Sequence, residues 1–117
     1  MTTAAVRVLP IAELPSTTFS RELVGADHGG TGACLIFVEA PPGKVVGPHS
    51  HPYEELLVVQ EGRGVFTVGD EEIEAGAGEI VIVPAGVVHG FANRGDVPLK
   101  QLDIHVSPSF RTDWVNG

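Results

Sequence analysis

The chain has 117 residues, enough for one domain with a buried core and too few for a second, so a single domain over 1–117 is expected. Fifteen acidic residues against 7 Lys and Arg give a formal charge of -8, which repels phosphate backbones and argues against a nucleic-acid partner. No apolar run approaches the ~20 residues that cross a bilayer, and the N-terminus lacks the charged and apolar regions of a signal peptide. The expectation is therefore a soluble, cytoplasmic protein with no membrane partner.

Fifteen glycines and nine prolines, spread along the chain, break it into short runs of Val, Ile, Leu and Phe. Such punctuation predicts an all-β fold of many short strands. In chain order the strand-like segments are Ala4 to Leu9, Phe19 to Val24, Ala33 to Glu39, Lys44 to Val46 and Glu55 to Gln60. Gly64 to Val68, Glu72 to Glu74, Glu79 to Val83, Val88 to Ala92 and Leu99 to Val106 complete the set. Their spacing suits a sandwich or closed barrel. The first segment lies apart from the rest and needs a pairing partner, which a second subunit would supply. The single cysteine, Cys34, sits in an apolar run and reads as a small buried hydrophobe, so no internal disulfide forms. A short C-terminal helix is expected, with Ser107 as cap, Pro108 in the first turn, and Phe110 and Trp114 four apart on one face.

Two patterns carry the chemistry. The first holds Gly43, His49, His51, Glu55 and Gly62, and the second Gly78, Pro84, Gly86, His89 and Asn93. On an extended backbone His49 and His51 leave the same face, where one metal reaches both. Glu55, rather than Glu54, shares their parity and is taken as the ligand, with Glu54 solvated or behind it. His89 supplies a fourth group from the second pattern. Three imidazoles and a carboxylate suit one divalent transition metal per chain, Fe, Mn, Ni, Cu or Zn, rather than Ca or Mg. In a six-coordinate ion two positions stay open to water or substrate, as in catalytic rather than structural sites.

The spacing G-x5-H-x-H-x3-E-x6-G followed by G-x5-P-x-G-x2-H-x3-N is matched at every fixed position between Gly43 and Asn93 and resembles the cupin superfamily in a small single-domain form. The resemblance implies a double-stranded β-helix, or jelly-roll, barrel with a metal near its centre held by His49, His51, Glu55 and His89. It implies turns at Gly62 and Gly86, and a non-ligand role for Asn93. It also implies a homodimer that pairs or exchanges N-terminal strands, giving the segment 4–9 its partner.

Candidate pocket residues are Tyr53, which falls between the ligands, Phe91, and the alternating set Gln101, Asp103 and His105. On that last strand the three polar residues share one face, and Leu102, Ile104 and Val106 share the other. If the polar face looks inward it lines the pocket; if outward it is simply wet. His28 reads as a loop residue, and the acidic stretch Asp70 to Glu74 as a solvated hairpin.

The preferred function is a metal-dependent enzyme acting on a small organic substrate, a dioxygenase if the metal is redox-active, with Glu55 also able to loosen and accept a proton. The alternatives are isomerase or lyase chemistry on a small carbonyl compound, or small-molecule binding without turnover. Seven scattered basic residues disfavour phosphorylated substrates.

Overall fold

The computed structural model describes residues 6–115. Ten strands follow in order: β1 (Ser20–Leu23), β2 (Cys34–Ala40), β3 (Val45–Ser50), β4 (Glu55–Glu61), β5 (Arg63–Val68), β6 (Glu71–Gly76), β7 (Ile80–Val83), β8 (His89–Ala92), β9 (Leu99–His105) and β10 (Asp113–Trp114). They form two five-stranded antiparallel sheets, ordered β1-β2-β9-β4-β7 and β10-β3-β8-β5-β6. The described residues contain two short 3-10 turns, Ile11–Glu13 and Gly25–Asp27, and no α-helix. No helix is long and apolar enough to cross a membrane.

Alternation decides what the two sheets enclose, because successive side chains on a strand point to opposite faces. On β9 the buried residues are Leu99, Gln101, Asp103 and His105, and on β4 they are Glu55, Leu57 and Val59. The space between the sheets is therefore divided. One end is an apolar plug that includes Val38, Ala40, Leu57, Val59, Phe66, Val83 and Leu99. The other end holds the buried polar residues His49, His51, Glu55, His89, Asp103 and His105. The question left open by the sequence is settled in favour of the inward polar face. Leu102 and Ile104 point out, beside Leu56, Val58, Leu35 and Phe37 on neighbouring strands, so the outer face of this sheet is apolar there while the inner face carries the polar groups.

Turns are fixed where a side chain cannot go. Gly62 has φ +81°, and a Cβ there would run into the carbonyl of Pro98, so the β4–β5 turn accepts only glycine without strain. Asn93 is 1 % exposed; its Nδ2 donates to Ala40 O at 3.0 Å and Val97 O at 2.9 Å, and its Oδ1 accepts from Gly95 N at 3.0 Å. It ties the β8–β9 turn to the end of β2 and is a structural member of its motif.

The expected N-terminal strand lies partly outside the described residues, at 4 and 5, and Val6 to Leu9 join neither sheet of this chain, with Val6 95 % and Val8 89 % exposed. One expectation is corrected. The C-terminal helix is replaced by β10, whose Asp113 and Trp114 pair with Ser50 and His49. The helical signal rested on one i, i+4 pair, whereas Thr112, Trp114 and Val115 favour extended backbone and find a free sheet edge to join. Cys34 is fully buried, the stretch Asp70 to Glu74 is exposed, and His28 follows the Gly25–Asp27 turn, all as read from the sequence.

Candidate metal centre

Strand register brings the four motif side chains together. In one sheet Glu55, the first residue of β4, pairs with His105; in the other His49 on β3 pairs with His89, the first residue of β8. The β3–β8 ladder shifts register between Val46 and His49, across Gly47-Pro48, where proline lacks the N–H that a regular ladder would use. That irregularity carries the carbonyl of Gly47 to 2.8 Å from Nδ1 of His49. His51 lies one residue past β3, and its carbonyl accepts the N–H of Gly86 at 2.8 Å, which fastens the two motifs to each other. Glu54 is exposed, so the parity argument for Glu55 agrees with the fold.

The three imidazoles share one tautomer. Nδ1 of His49 faces Gly47 O at 2.8 Å, Nδ1 of His51 faces Arg111 O at 2.8 Å, and Nδ1 of His89 faces Val87 O at 2.9 Å. A carbonyl oxygen only accepts, so each Nδ1 carries the ring proton and each Nε2 is left with a lone pair. Those lone pairs meet a carboxylate: His89 Nε2 stands 2.8 Å and His51 Nε2 3.2 Å from Oε1 of Glu55. One ligand atom from each of the four residues lies within 4.8 Å of all the others. Nε2 of His51 is buried without a hydrogen-bond partner. Acceptors gathered so closely repel unless a cation or a proton sits among them, and buried nitrogens held by carbonyls on their far side are the usual setting of metal-ligating histidine. The donor set thus fits one transition-metal ion.

Charge around the site follows from the same contacts. Burial pushes the Glu55 carboxyl up, but in the metal-free protein any proton taken up at Nε2 of His105, His51 or His89 is shared with Glu55, and these contacts outweigh burial and hold the group well below the usual carboxylate range. Burial pushes His51 down, yet Glu55 and the Arg111 carbonyl leave it raised above an ordinary imidazole. His49 is lowered, mainly by burial. Asp103 is driven well above an ordinary aspartate by burial and by the neighbouring Glu55 charge, against the hydrogen bond it accepts from Gln101 Nε2 at 2.8 Å. Of the two inward carboxyls, the surroundings favour the charged form of Glu55 and the protonated form of Asp103.

The four ligand candidates border a cavity of about 300 Å³, at the small end for ligand pockets. Its walls are mostly apolar, with Phe19, Ile36, Val46, Phe91, Phe110 and Trp114 among them. Phe91, Asp103 and His105 lie in this wall. Tyr53 and Gln101 do not: Tyr53 stands behind His105, and Gln101 is buried one alternation further from the ligands. Sequence reasoning missed Phe19 on the approach to β1, and Thr112 and Trp114 on the C-terminal segment. The signal for the latter is the β-forming run 112–115, which the helical reading did not take into account.

A small antiparallel double sheet with three imidazoles and a carboxylate turned inward defines a metal-binding type of jelly roll. Residues 36–105 match the cupin domain family, and the chain belongs to it. It is 35 % identical over 87 residues to the tetracenomycin polyketide synthase protein TcmJ of Streptomyces glaucescens, covering 74 % of this chain and 58 % of that one, so it spans little more than half of that relative's length. A stretch of 48 residues is 40 % identical to acireductone dioxygenase of Drosophila melanogaster, covering 37 % of this chain and 26 % of the relative. The fold is shared with a double-stranded β-helix domain protein of Klebsiella pneumoniae, with TM-score 0.75, 21 % identity and coverage of 97 % of this chain and all of the other.

Proposed function

We propose that the protein is a metal-dependent enzyme that acts on a small organic molecule, with dioxygenase chemistry preferred. The observation that carries this reading is the gathering of ligand atoms from His49, His51, Glu55 and His89 within 4.8 Å of one another, at the edge of a small cavity with apolar walls. His49, His51, Glu55 and His89 would hold one divalent transition metal, Fe, Mn, Ni, Cu or Zn. Such an ion would supply a Lewis-acidic centre with positions open to substrate and, if redox-active, to O₂. The chain's own residues do the rest. Apolar walls exclude water and seat the carbon skeleton, and Glu55, charged and buried, is placed to take a proton from an acidified substrate. Similarity over part of the chain to acireductone dioxygenase supports the preference.

Asp103 favours a second reading. A carboxyl that keeps its proton inside the cavity is a general acid in waiting, and isomerase or lyase chemistry on a small carbonyl compound uses such a group. Binding without turnover is the third outcome. Elemental analysis of protein purified without added metal, with O₂ consumption followed against diketones, enediols and catechols, separates them. Stoichiometric Fe, Mn, Ni or Cu together with O₂ uptake supports the dioxygenase; Zn or no metal, with no uptake, overturns it.

The same proposal includes a single-domain homodimer. Val6 and Val8, almost fully exposed, and Ile80 and Ile82, each 59 % exposed on an edge strand, are the apolar groups such a pairing would cover. Sedimentation velocity giving a monomer at all accessible concentrations would remove it.

A further inference from the structure

His105 is turned the opposite way from the three histidines beside it. Its Nδ1 faces no carbonyl; it lies 2.7 Å from the hydroxyl of Tyr53. That hydroxyl oxygen already accepts the amide N–H of Arg111 at 3.2 Å. With its oxygen receiving one proton, the phenol gives its own to the better acceptor, an imidazole nitrogen. The lone pair of His105 is therefore on Nδ1 and the ring proton on Nε2. Nε2 is buried and lies 3.0 Å from Oε2 of Glu55, a close charge contact in which the oxygen stands well off the axis of the N–H, and it has no hydrogen-bond partner. Three bare nitrogens thus surround one side of the carboxylate, and a nitrogen bearing hydrogen stands at the other.

Neither ring is free to turn. Tyr53 stacks on His51 with centroids 5.1 Å apart and planes at 11°, and Phe110 sets its edge against His105 at 4.9 Å and 87°. The order Arg111 N–H, Tyr53 O–H, His105 N–H is directional, and each member makes the next a donor.

We propose that this relay holds Oε2 of Glu55 and so restricts Glu55 to a single-oxygen metal ligand, through Oε1. A carboxylate free at both oxygens can close on an ion through the pair and take a second coordination position. His105 keeps that position available to substrate or water. It is a positioning residue, acting through Glu55, and Tyr53 acts through it. The second half of the proposal rests on the metal-centre reading above; the tautomer of His105 does not.

The two halves are tested apart. In metal-free protein labelled with ¹⁵N at histidine, long-range ¹H–¹⁵N correlations are expected to place the His105 proton on Nε2, with Tyr53→Phe giving a mixture of tautomers. A proton on Nδ1 of His105 in the unsubstituted protein overturns the relay. In the Co(II) form, His105→Leu is expected to alter the d–d absorption and to weaken cobalt binding about tenfold or more, as loss of a ligand's supporting partner does. His105→Gln, which restores an N–H, brings both back toward the original values. An unchanged spectrum and affinity in His105→Leu overturns the single-oxygen claim. If His105→Leu does not fold, Tyr53→Phe, which keeps the imidazole, carries the same spectroscopic test. Protein that takes up no stoichiometric cobalt overturns the metal centre, and the single-oxygen claim with it, while the tautomer measurement still decides the relay.

Discussion

The indole of Trp114 lies against the imidazole of His49, centroids 4.7 Å apart, because β10 pairs Trp114 directly with His49. Trp114 is the chain's only tryptophan, so its emission reports on this one ligand. Titration with an ion that has a partly filled d shell, such as Co(II) or Cu(II), is expected to quench most of the emission and to level off at one equivalent. Zn(II), with a full d shell, leaves much more of it. Uptake of one equivalent of cobalt with undiminished emission would show that the indole does not sit on a ligand.

Removing a ligand imidazole removes both a donor and half of a facing pair. His49→Ala and His89→Ala are each expected to abolish stoichiometric metal uptake, read by elemental analysis after equilibrium dialysis. Glu54→Ala is expected to leave it intact, since Glu54 points to solvent and Glu55 inward. Loss of metal in Glu54→Ala alone would reverse the assignment of the carboxylate.

How far the site was legible depends on the kind of information each residue needed. His49, His51, Glu55 and His89 were readable because period-two alternation and fixed motif spacing are local properties of the sequence. The inward turn of Gln101, Asp103 and His105 was not. On β9 Gln101, Asp103 and His105 face in and Leu102 and Ile104 face out, the reverse of the usual pattern, and nothing local to the strand tells which of its two faces is covered. Trp114 was misread for a related reason. Its β conformation comes from an edge offered by β3, a partner more than sixty residues earlier, and i, i+4 spacing is blind to that. Tyr53 falls between the ligands in the sequence, but its partner His105 lies fifty-two residues away, so a role through His105 required the fold.

Protons and metal compete for the same seat. His51 is raised above its ordinary value of 6.5, with burial opposing and Glu55 and the Arg111 carbonyl prevailing. The sign follows. In metal-free protein this interaction adds stability fully present below the unfolded value and lost as pH rises through the higher folded value. Metal must displace that proton, so apparent affinity falls as pH drops through the raised value, by up to about tenfold per pH unit for each proton released. The rise in melting temperature on adding metal is therefore expected to be larger at about pH 8 than at about pH 6. An equal rise at both would mean that no proton leaves His51 when metal binds.

Asn93 separates fold from site. Asn93→Ala strips hydrogen bonds from the carbonyls of Ala40 and Val97 and from the amide of Gly95, and an unsatisfied buried group costs roughly 1–3 kcal/mol. A loss of about 2–3 kcal/mol in urea unfolding is expected, with one metal still bound per folded chain. Loss of metal without loss of stability would make Asn93 part of the metal centre.

Asp103 gives the sharpest test of how the cavity is charged. Its carboxyl is fully buried beside Glu55 and keeps its proton well above the ordinary aspartate value of 3.8, burial being the larger cause. The unfolded chain releases that proton near 3.8, so between the two values the folded state binds more protons than the unfolded one. Stability conferred at low pH is then lost as pH rises, with a slope approaching about 1.4 kcal/mol per pH unit for one proton. Asp103→Asn has nearly the same shape, cannot ionise, and keeps an oxygen to accept from Gln101. It is expected to remove that slope and to leave the variant at least as stable as the unsubstituted protein at neutral pH, measured by urea unfolding across the range. Turnover of a substrate that needs a proton donor would fall in the same variant, while turnover that needs only metal and O₂ would persist. A variant much less stable at neutral pH, with the slope unchanged, would mean that Asp103 is ionised in the folded protein and that Glu55 is not the only charge beneath the metal.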